Sequence, residues 1–523
     1  MKQAVRIRQK PTLLVILDGW GLADPSAPGN AITPQTAPFI FALQKKYPSA
    51  PLAAAGEAVG LFPGQQGNSE AGHFNIGAGR VVKQDLLYIS AAIHDGTFFK
   101  NEAFKQALFH AQKYKTAAHI MAMLTRAHSV HTLPEHLYAM LEYLRRREQK
   151  EVYLHLITDG RDSSPHGAAV FLRELAGHLL GHEKIATIIG RFYAMDRNKI
   201  WERTQKAYEA MVLGKGCAAA SAEEALEQAY NRGETDEYVC PSIIVAGGKR
   251  PVARIKDNDA VFFVNARSDR ARQITKAFVQ PDFEKKNPGA FARKSLPKNI
   301  RFVAMTDFGP DLPGIFTAFH TPDVPNSLAK AIGGAYRQLY ISESEKYAHV
   351  TYFINGGYAD PINGEDRLVL RSDSIRSYEA EPEMRAKAMT DVILDHIEKA
   401  KYNFITVNFP NADMVGHTGN LAAAKLGVRA VDTQVKRLVE AVLKRAGQLL
   451  LVGDHGNAEE MIDAKTDEIM TEHTTNPVPC VMVSQALKGK KAKKAGKLAD
   501  VAPTLLKMMG VEKPKEMTGR SLI

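Results

Sequence analysis

The stretch 404-FITVNFPNADMVGHTG-419 decides the fold class of this chain, because a short apolar run leads directly into polar, metal-type side chains. A second stretch, 449-LLLVGDHGN-457, repeats this arrangement. Short apolar runs closed by turn-forming residues are typical of buried strands. Side chains that follow parallel strands gather at one edge of an open α/β sheet, where ligand sites form. The two stretches therefore predict an α/β fold with a site at the carboxyl edge of its sheet.

The candidate metal ligands are carboxylates and imidazoles that follow predicted strands or lie in the late stretch 472-EHTTNPVP-479: Asp18, Asp413, His417, Asp454, His455 and His473. Carboxylate together with imidazole suits Mn²⁺ and Zn²⁺. The set exceeds what one ion needs, so it predicts a two-metal site. Taken singly, an aspartate after a strand is equally a helix cap or a turn residue, and a lone histidine is often a core residue. The interpretation therefore rests on the whole set.

Ser69 is a candidate nucleophile in the glycine-rich stretch 64-GQQGNSEAGHFNIGAGR-80. Glycines let backbone N–H groups approach anionic oxygens closely. A hydroxyl beside metal ions becomes more acidic, which activates it for attack. The alternative is a serine that only caps a turn. The candidate metal ligands elsewhere in the chain favour the nucleophile.

Apolar runs alternate with helical patterns along most of the chain, which indicates an α/β architecture with two sheets. The predicted strands are 12–17, 119–124, 152–157, 185–190, 260–265, 404–409, 449–453 and 477–483. Metal-type residues occur only in the first and last parts, and arginines follow the strands of the middle part. We therefore predict a discontinuous metal-binding core, residues 1–82 and 311–523, with helices on both faces of its sheet. A second α/β domain, residues 83–310, is inserted into it and binds substrate.

The middle arginines form the second candidate site: Arg161, Arg191, Arg197, Arg267 and Arg270. The planar guanidinium fork matches carboxylate and phosphate groups. One or two such residues would be surface ion pairs, but this many after the strands of one sheet predict a pocket for a small polyanion. Asp162 in the same group is a candidate proton acceptor, or else a salt-bridge partner of a neighbouring arginine.

Composition excludes several classes of protein. The chain has 523 residues, 45% of them hydrophobic, which is enough for a large core and more than one domain. No apolar run is long enough to span a membrane, and Asp18 interrupts the short run that loosely mimics a signal peptide. The three cysteines are widely spaced, which favours reduced thiols and a cytoplasmic location over a disulfide framework.

The net charge of +11 is consistent with an anionic substrate. The densest basic run, 488-KGKKAKKAGK-497, has no aromatic residues between its lysines, so we predict a solvated loop and no nucleic-acid partner.

Several motifs together resemble those of the cofactor-independent phosphoglycerate mutases of the alkaline phosphatase superfamily. They run from Asp18 to the C-terminus and include 17-LDGWG-21, 68-NSEAGHFNIGAGRVV-82, 128-HSVH-131, 159-DGRDSSP-165, 190-GRFYAMDR-197, 408-NFPNADMVGHTG-419, 453-GDHGNAEEM-461 and 473-HTTNPVP-479. The stretch 265-NARSDR-270 departs from the forms common in the family but keeps both arginines. The resemblance implies an isomerase that interconverts 3-phosphoglycerate and 2-phosphoglycerate without 2,3-bisphosphoglycerate. We expect a monomer that acts on this small molecule.

The resemblance also implies residue roles. Asp413, His417 and His473 would hold one Mn²⁺, and Asp18, Ser69, Asp454 and His455 the other. Ser69 would carry the phosphoryl group, Asp162 would shuttle a proton between the glycerate hydroxyls, and Lys346 would lie near the phosphate. The substrate-binding residues would be His128, Asp159, Arg161, Asp162, Arg191, Arg197, Arg267, Arg270 and Lys346.

Two alternatives stay open at this point. One is a metal-dependent phosphatase or a phosphopentomutase of the same superfamily, which an assay of the product would distinguish. The other is a non-catalytic binding protein on this fold, which a metal analysis would test. The arginine group favours a small phosphate ester that also carries a carboxylate, and Ser69 with the metal-type residues favours an enzyme.

Overall fold

The computed structural model describes residues 10–125, 129, 131–248, 250–309, 311–320, 324–334, 336–372, 377–463, 466–493 and 495–523. The chain forms two compact units, one built from Met1–Gln84 with Asp323–Ile523 and the other from Asp85–Pro322. We call the first the core unit and the second the inserted unit.

The elements follow one another along the chain in three segments. The first segment of the core unit contains β1 (Thr12–Leu17), α1 (Pro38–Lys46), β2 (Ser49–Ala53) and α2 (Ser69–Ala78). The inserted unit contains α3 (Asp85–Asp95), α4 (Glu102–Tyr114), β3 (Ala118–Leu124), α5 (Pro134–Arg146), β4 (Val152–Thr158), α6 (Ala168–Ala176), β5 (Glu183–Gly190), α7 (Arg191–Ala194), α8 (Trp201–Leu213), β6 (Cys217–Ala219), α9 (Ala222–Asn231), β7 (Ser242–Ala246), β8 (Arg250–Pro251), β9 (Ala260–Val264), α10 (Ser268–Val279), α11 (Phe283–Lys286), β10 (Arg301–Ala304) and β11 (Ile315–Thr317). The last segment contains α12 (Leu328–Ile332), β12 (Gln338–Glu343), β13 (Asp366–Leu370), α13 (Ala386–Glu398), β14 (Phe404–Phe409), α14 (Asn411–Gly416), α15 (Leu421–Lys444), β15 (Gln448–Gly453), β16 (Val478–Ser484), β17 (Gly496–Lys497) and α16 (Val501–Met509).

The core sheet has eight strands in the order β13-β12-β14-β1-β15-β16-β2-β17. Strands β13, β12, β14, β1 and β15 pair in parallel, and β16 runs antiparallel to both β15 and β2. Strand β1 shows why the sheet is buried on both faces. Leu13 and Val15 pack with the residues of α13 and α15, whereas Leu14 and Ile16 pack with α16. A strand covered by helices on both sides needs a continuous apolar run.

The register of the central strands positions the metal-type residues. Leu17 pairs with Phe409 on one side and with Gly453 on the other. The three strands therefore end level with one another, and Asp18 and Asp454 come directly after them. Asp413 follows within α14, a short helix at the same edge. The convergence is thus a consequence of parallel pairing in register.

The inserted unit is built on a second sheet, with β11-β10-β9-β3-β4-β5-β7-β6 in order and β8 paired to β7. Strands β3, β4, β5 and β9 are parallel neighbours, and alternate residues of β3 belong to two separate clusters, Ile120 to one and Met121 to the other. Both faces are again buried. Arg191 begins α7 directly after β5, and Arg267 precedes α10 after β9.

The prediction of an α/β fold with a second, inserted α/β part is confirmed. The observed units divide near residues 84 and 323, compared with the predicted 82 and 311, and the functional labels of the two domains stay predictions. Among the described residues, no helix combines the length and apolar character that crossing a bilayer requires.

Candidate metal centre and arginine cluster

The core sheet edge brings together the first group of predicted ligands, Asp413, His417 and His473. The Nε2 atoms of His417 and His473 lie 3.3 and 3.1 Å from Oδ1 of Asp413. The same two Nε2 atoms are 3.1 Å from each other. Asp413 is placed by its backbone N–H, which donates to the Asp18 carbonyl at 3.1 Å. Gly19 allows this approach with φ +70°, because a Cβ there would lie 2.6 Å from the Asp413 Cα.

The second group, Asp18, Ser69, Asp454 and His455, lies at the same edge. Ser69 Oγ is 2.9 Å from His455 Nε2 and 3.2 Å from Asp18 Oδ1. His455 Nε2 is also 3.5 Å from Asp454 Oδ2. All four side chains are buried. Asp18, Asp413 and His455 can in addition be grouped around one point, so the two groups share a single continuous cluster.

Lys346 lies at the centre of this cluster. Its Nζ is 2.7 Å from Asp18 Oδ1, 2.7 Å from Asp413 Oδ2 and 2.6 Å from Ser69 Oγ. Burial opposes its charge, but Asp18 and Asp413 outweigh that effect and hold the pKa of Lys346 far above its usual range. The lysine is therefore a permanent cation next to the hydroxyl that sequence analysis identified as the nucleophile.

The orientation of the histidines fits a metal ion. Nδ1 of His417, His455 and His473 faces the carbonyl oxygen of Thr471, Gly456 and Gly67 respectively, at 2.7, 3.2 and 2.9 Å. A carbonyl only accepts hydrogen bonds, so each Nδ1 carries a proton. In the neutral ring the lone pair is then on Nε2, which faces the carboxylates. Metal-binding histidines are oriented in this way by backbone carbonyls. The donor set therefore fits divalent cations.

The electrostatic environment agrees with this conclusion. Burial disfavours charge on His455, but Asp454 and then Asp18 and Asp413 outweigh it and raise its pKa to about 10. The hydrogen bond to Asp413 likewise raises the pKa of His417. A negative potential that attracts a proton to these nitrogens also attracts a metal ion, and the two compete for the same lone pairs.

Ser69 is the first residue of α2. The Asn68 side chain caps this helix by accepting a hydrogen bond from Ala71 N at 2.8 Å. Unpaired N–H groups and the helix dipole make such a position favourable for phosphate. Placement at a helix N-terminus thus adds a phosphate-binding element that the glycine-rich stretch alone did not specify.

Sequence analysis missed several supporting residues of this centre. Buried His73 lies 3.2 Å from Asp454 Oδ2 through Nδ1, and its Nε2 is 3.0 Å from Asn408 Nδ2. Asn408 also donates to Asp18 Oδ2 at 2.6 Å, and Asn457 donates to Asp413 Oδ1 at 3.2 Å. Only His73 carried a usable signal, since it lies four residues after Ser69 on the same helix.

In the inserted unit, Arg191 is the centre of the predicted substrate group. It is buried, forms a close ion pair with Asp159, and its Nη1 lies 3.2 Å from Asp162 Oδ1. Asp159 also accepts hydrogen bonds from Thr125 Oγ1 at 2.7 Å and Ser163 Oγ at 3.0 Å. Asp159 therefore orders the loop after β4, while Asp162 is partly exposed. Contact of either carboxylate with substrate stays a prediction.

The other arginines are less buried. Arg161 Nε lies 3.1 Å from Glu237 Oε1. Asp269 forms ion pairs with two arginines, through Oδ2 with Arg197 Nη1 at 2.6 Å and through Oδ1 with Arg267 Nε at 3.0 Å. Burial and then Arg191, Arg197 and Arg161 lower the pKa of Arg270. The positive charge of these three neighbours around Arg270 is expected for an anion site.

His128 lies outside the described residues, so its placement is not described. Its neighbour His131, which sequence analysis did not single out, is buried and places Nε2 3.0 Å from Arg191 Nη2. Burial and the charge of Arg191 lower the pKa of His131 to about 4, so it stays neutral beside the guanidinium.

Two family models match the chain. Residues 89–310 match the BPG-independent PGAM N-terminus, and residues 324–508 match type I phosphodiesterase / nucleotide pyrophosphatase. The second match agrees with the prediction of an alkaline-phosphatase-like core.

Curated relatives extend the similarity over the full length. A 2,3-bisphosphoglycerate-independent phosphoglycerate mutase of Clostridium perfringens is 44% identical over 518 residues, which cover 98% of this chain and 99% of the relative. The chain belongs to this mutase family. A family member of Chloroflexus aurantiacus is 45% identical over 99% of both chains.

Among solved structures, the phosphoglycerate mutase of Leishmania mexicana at low cobalt concentration has a TM-score of 0.74 and 30% identity, covering 100% of this chain and 99% of that one. The predicted family is thereby confirmed. Together with the Asp/His clusters, membership of the mutase family implies that this chain depends on a divalent metal.

Proposed function

We propose that this chain interconverts 3-phosphoglycerate and 2-phosphoglycerate without 2,3-bisphosphoglycerate, through a phosphoserine formed on Ser69 at a centre of two Mn²⁺ ions. The observation that carries the proposal is the position of the Ser69 hydroxyl, 2.6 Å from Lys346 Nζ and 2.9 Å from His455 Nε2, in a chain of this mutase family. A monomeric state and a cytoplasmic location stay predictions.

The ligands proposed for one ion are Asp413, His417 and His473, and those for the other are Asp18, Ser69, Asp454 and His455. Carboxylate and imidazole donors together are compatible with Mn²⁺. Ions bound here would lower the pKa of the Ser69 hydroxyl and neutralise charge on the phosphoryl oxygens.

In the first half of the reaction, Ser69 Oγ, whose proton would be released to solvent when the ions bind, forms a bond to phosphorus, and the bond between phosphorus and the 3-oxygen of glycerate breaks. Lys346 stabilises the charge that develops on Ser69 and on the phosphoryl group, because its ammonium is already fixed within 2.6 Å of Oγ. The N-terminus of α2 adds backbone donors at the same position. In the second half, the 2-oxygen of glycerate takes the phosphoryl group from Ser69.

Each half of the reaction also moves a proton on glycerate. The 3-oxygen gains one when its ester bond breaks, and the 2-hydroxyl loses one when it attacks. We assign both transfers to Asp162, which gives its proton to the 3-oxygen in the first half and takes one from the 2-hydroxyl in the second. Its Oδ2 accepts a hydrogen bond from Ser129 Oγ at 2.9 Å. A carboxylate is a suitable general base when it is held within hydrogen-bond reach of the proton.

Glycerate must stay bound while its phosphoryl group is on Ser69, since water would otherwise hydrolyse the phosphoserine. We assign this retention to the arginine cluster of the inserted unit. Guanidinium groups bind carboxylates in two-point geometry, and the repulsion that Arg191, Arg197 and Arg161 exert on Arg270 favours an anionic ligand.

The test is an isomerisation assay on chelated protein restored with Mn²⁺, with and without 2,3-bisphosphoglycerate. We expect activity only after metal is restored, and no dependence on the bisphosphate. Free phosphate is measured in the same samples. Release of phosphate and glycerate in place of the isomer would identify a phosphatase, and full activity after chelation would contradict the metal centre.

A further inference from the structure

Two of the three cysteines, Cys217 and Cys240, lie side by side in the inserted unit, with their Sγ atoms 2.7 Å apart. Cys217 begins β6, and Cys240 lies just before β7. The backbone fixes this proximity, because β6 and β7 pair in parallel and the Cys217 N–H donates to the Pro241 carbonyl at 3.0 Å. The mechanism proposed above uses neither residue.

The distance is close to that of a covalent link. A disulfide has an S–S bond of about 2.05 Å, so the sulfurs need to approach by less than 1 Å from their 2.7 Å separation. Cytoplasmic disulfides, where they occur, are usually transient and redox-sensing. The pair therefore fits a reversible bond better than a permanent structural one.

The surroundings distinguish the two thiols. Burial, followed by Cys217 and Glu234, raises the pKa of Cys240 to about 12, so this thiol keeps its proton at neutral pH. Residues 215, 216 and 218 around Cys217 are exposed, whereas Val239 beside Cys240 is buried. Both thiols are partly exposed, but the exposed neighbours of Cys217 leave it more open to an oxidant. Cys217 is therefore the thiol that meets an oxidant first, and Cys240 is the thiol that resolves it.

The segment before Cys240 supports the loops that carry the arginine cluster. Thr158 Oγ1, at the end of β4, donates to the Asp236 carbonyl at 2.6 Å, and Gly190 N, at the end of β5, donates to the Val239 carbonyl at 2.8 Å. Glu237 Oε1 forms an ion pair with Arg161 Nε at 3.1 Å. A covalent link at Cys240 would fasten residues 234–240 to β6.

We propose that Cys217 and Cys240 are a redox modification site, at which a peroxide oxidises the two thiols to a reversible disulfide. Hydrogen peroxide converts the Cys217 thiolate to a sulfenic acid with loss of hydroxide. Cys240 sulfur then attacks the Cys217 sulfur, and the sulfenic hydroxyl leaves as water with the Cys240 proton. In total, two thiols and one peroxide give one disulfide and two waters. A dithiol reductant restores both thiols.

The test uses the full chain, reduced, freed of reductant, treated with hydrogen peroxide and quenched with N-ethylmaleimide. Trypsin separates the two cysteines, because Arg232 lies between them and yields peptides 216–232 and 233–249. We expect mass spectrometry of a non-reduced digest to find these two peptides linked, and dithiothreitol to release them. The matched control is Cys480→Ser, which removes a buried thiol of β16 and should leave the link intact.

Stability provides a second readout. Oxidation of the wild-type chain should raise the Tm by a few degrees and slow amide hydrogen exchange in residues 234–240, since a crosslink restricts the opened chain. Neither change should occur in Cys217→Ser or Cys240→Ser, whose fold is verified by circular dichroism. Cysteines 217 and 240 recovered only as separate alkylated or over-oxidised peptides would overturn the proposal. A link that forms equally fast in urea would also overturn it, because the fold would then not position the pair.

Discussion

Lys346 shows how one side chain can hold a catalytic centre together. Its ammonium lies within 2.7 Å of Asp18, Asp413 and Ser69, and all of these groups are buried. Without it, two carboxylates would face each other in a region of low dielectric constant. The lysine therefore has two separable roles, to balance charge in the folded chain and to stabilise charge during phosphoryl transfer.

Replacement of the nucleophile should abolish isomerisation and leave the fold unchanged. Ser69→Ala removes only one oxygen, so we expect loss of essentially all turnover while the Tm stays within a few degrees of wild type. The matched control is Ser484→Ala, a buried serine of β16 that pairs with Gln448 at the opposite end of the sheet. Turnover is followed by conversion of 3-phosphoglycerate. Substantial activity in Ser69→Ala would show that Ser69 is not the nucleophile and is only the first residue of α2, after the Asn68 cap.

Removal of the central ammonium should affect stability and turnover in different ways. Lys346→Met leaves Asp18 and Asp413 without their cation, which typically costs about 3–5 kcal/mol for a broken buried pair. We expect the Tm of the chelated variant to fall and added Mn²⁺ to recover much of that loss, because metal binds only the folded chain. We expect turnover at saturating Mn²⁺ to stay at least roughly 100-fold below wild type.

The control for this prediction is Lys387→Met, which removes an exposed lysine paired with Asp391 on α13. Thermal melts with chelator and with Mn²⁺ give the comparison. An equal Tm of Lys346→Met and wild type in chelator would mean that the lysine does not balance the two carboxylates.

Sequence predicted the ligands because strand ends leave a readable pattern, an apolar run followed by a carboxylate. The sequence did not predict the residues that surround these ligands, because such residues leave no comparable pattern. Asn408 lies in a strand and His131 in a loop, and both differ from ordinary core polar residues only in what they contact. For His73 the only signal was its place four residues after Ser69 on the same helix. Lys346 was identified by resemblance alone, since its surroundings in 342-SESEKYAHVTYF-353 carry no distinctive spacing.

At the scale of elements, the long apolar strands were predictable and the short or polar ones were not. All of the predicted strands are present, from β1 to β16. Strand β12, Gln338–Glu343, is fully buried and lies between β13 and β14, but the polar residues at its ends do not match the pattern of a buried strand. Strands β6, β8 and β17 have two or three residues each and exist only through pairing with a neighbour. Tertiary context forms them, and local sequence does not encode it.

The packing of α3 against α5 should make the inserted unit sensitive to acid. His136 of α5 is buried, and its Nε2 lies 3.0 Å from Ser90 Oγ of α3. Burial lowers its pKa to about 3 from 6.5, so below pH 6.5 the unfolded chain takes up a proton that the folded chain does not. The contribution of neutral His136 to the free energy of unfolding is therefore complete above pH 6.5 and decreases as the pH falls. At about pH 5 the free energy of unfolding is lower by about 2 kcal/mol.

We therefore expect His136→Gln to lose less stability than wild type when urea denaturation is compared at about pH 7 and about pH 5. The pKa of His131 is also lowered, to about 4, so the stability of the variant still depends on pH to some extent. The matched control is His182→Gln, an exposed histidine whose replacement should leave the wild-type slope. Identical slopes for His136→Gln and wild type would contradict a buried neutral His136.

At the scale of the whole molecule, the two candidate sites carry charges of opposite sign. The chain has a net charge of +11, but the metal centre is rich in carboxylates, namely Asp18, Asp413 and Asp454. The inserted unit instead places several guanidinium groups near one another, around Arg270. A mutase that passes through a phosphoserine needs both kinds of site, one to carry the phosphoryl group and one to retain glycerate. A phosphatase needs only the first.

This difference predicts how loss of one arginine changes the product. Arg191 is unsuited to the test, because its removal would leave the buried carboxylate of Asp159 without its ion-pair partner and so destabilise the inserted unit. Arg270 is better suited, since its Nη1 bonds only to the Met195 carbonyl at 3.3 Å among the hydrogen bonds of the described residues. Loss of a hydrogen bond to a charged group costs roughly 1.5–3 kcal/mol, or about tenfold or more in substrate affinity.

We therefore expect Arg270→Ala to raise the KM for phosphoglycerate about tenfold or more and to release free phosphate, because glycerate escapes and water attacks phospho-Ser69. The control is Arg173→Ala, an arginine of α6 that bonds to the backbone of its own helix. Free phosphate and 2-phosphoglycerate are followed together in both variants. A wild-type KM with no release of phosphate from Arg270→Ala would mean that this guanidinium does not hold glycerate. In that case retention would rest on other groups, and the double variant Arg267→Ala with Arg270→Ala would be the next one to compare.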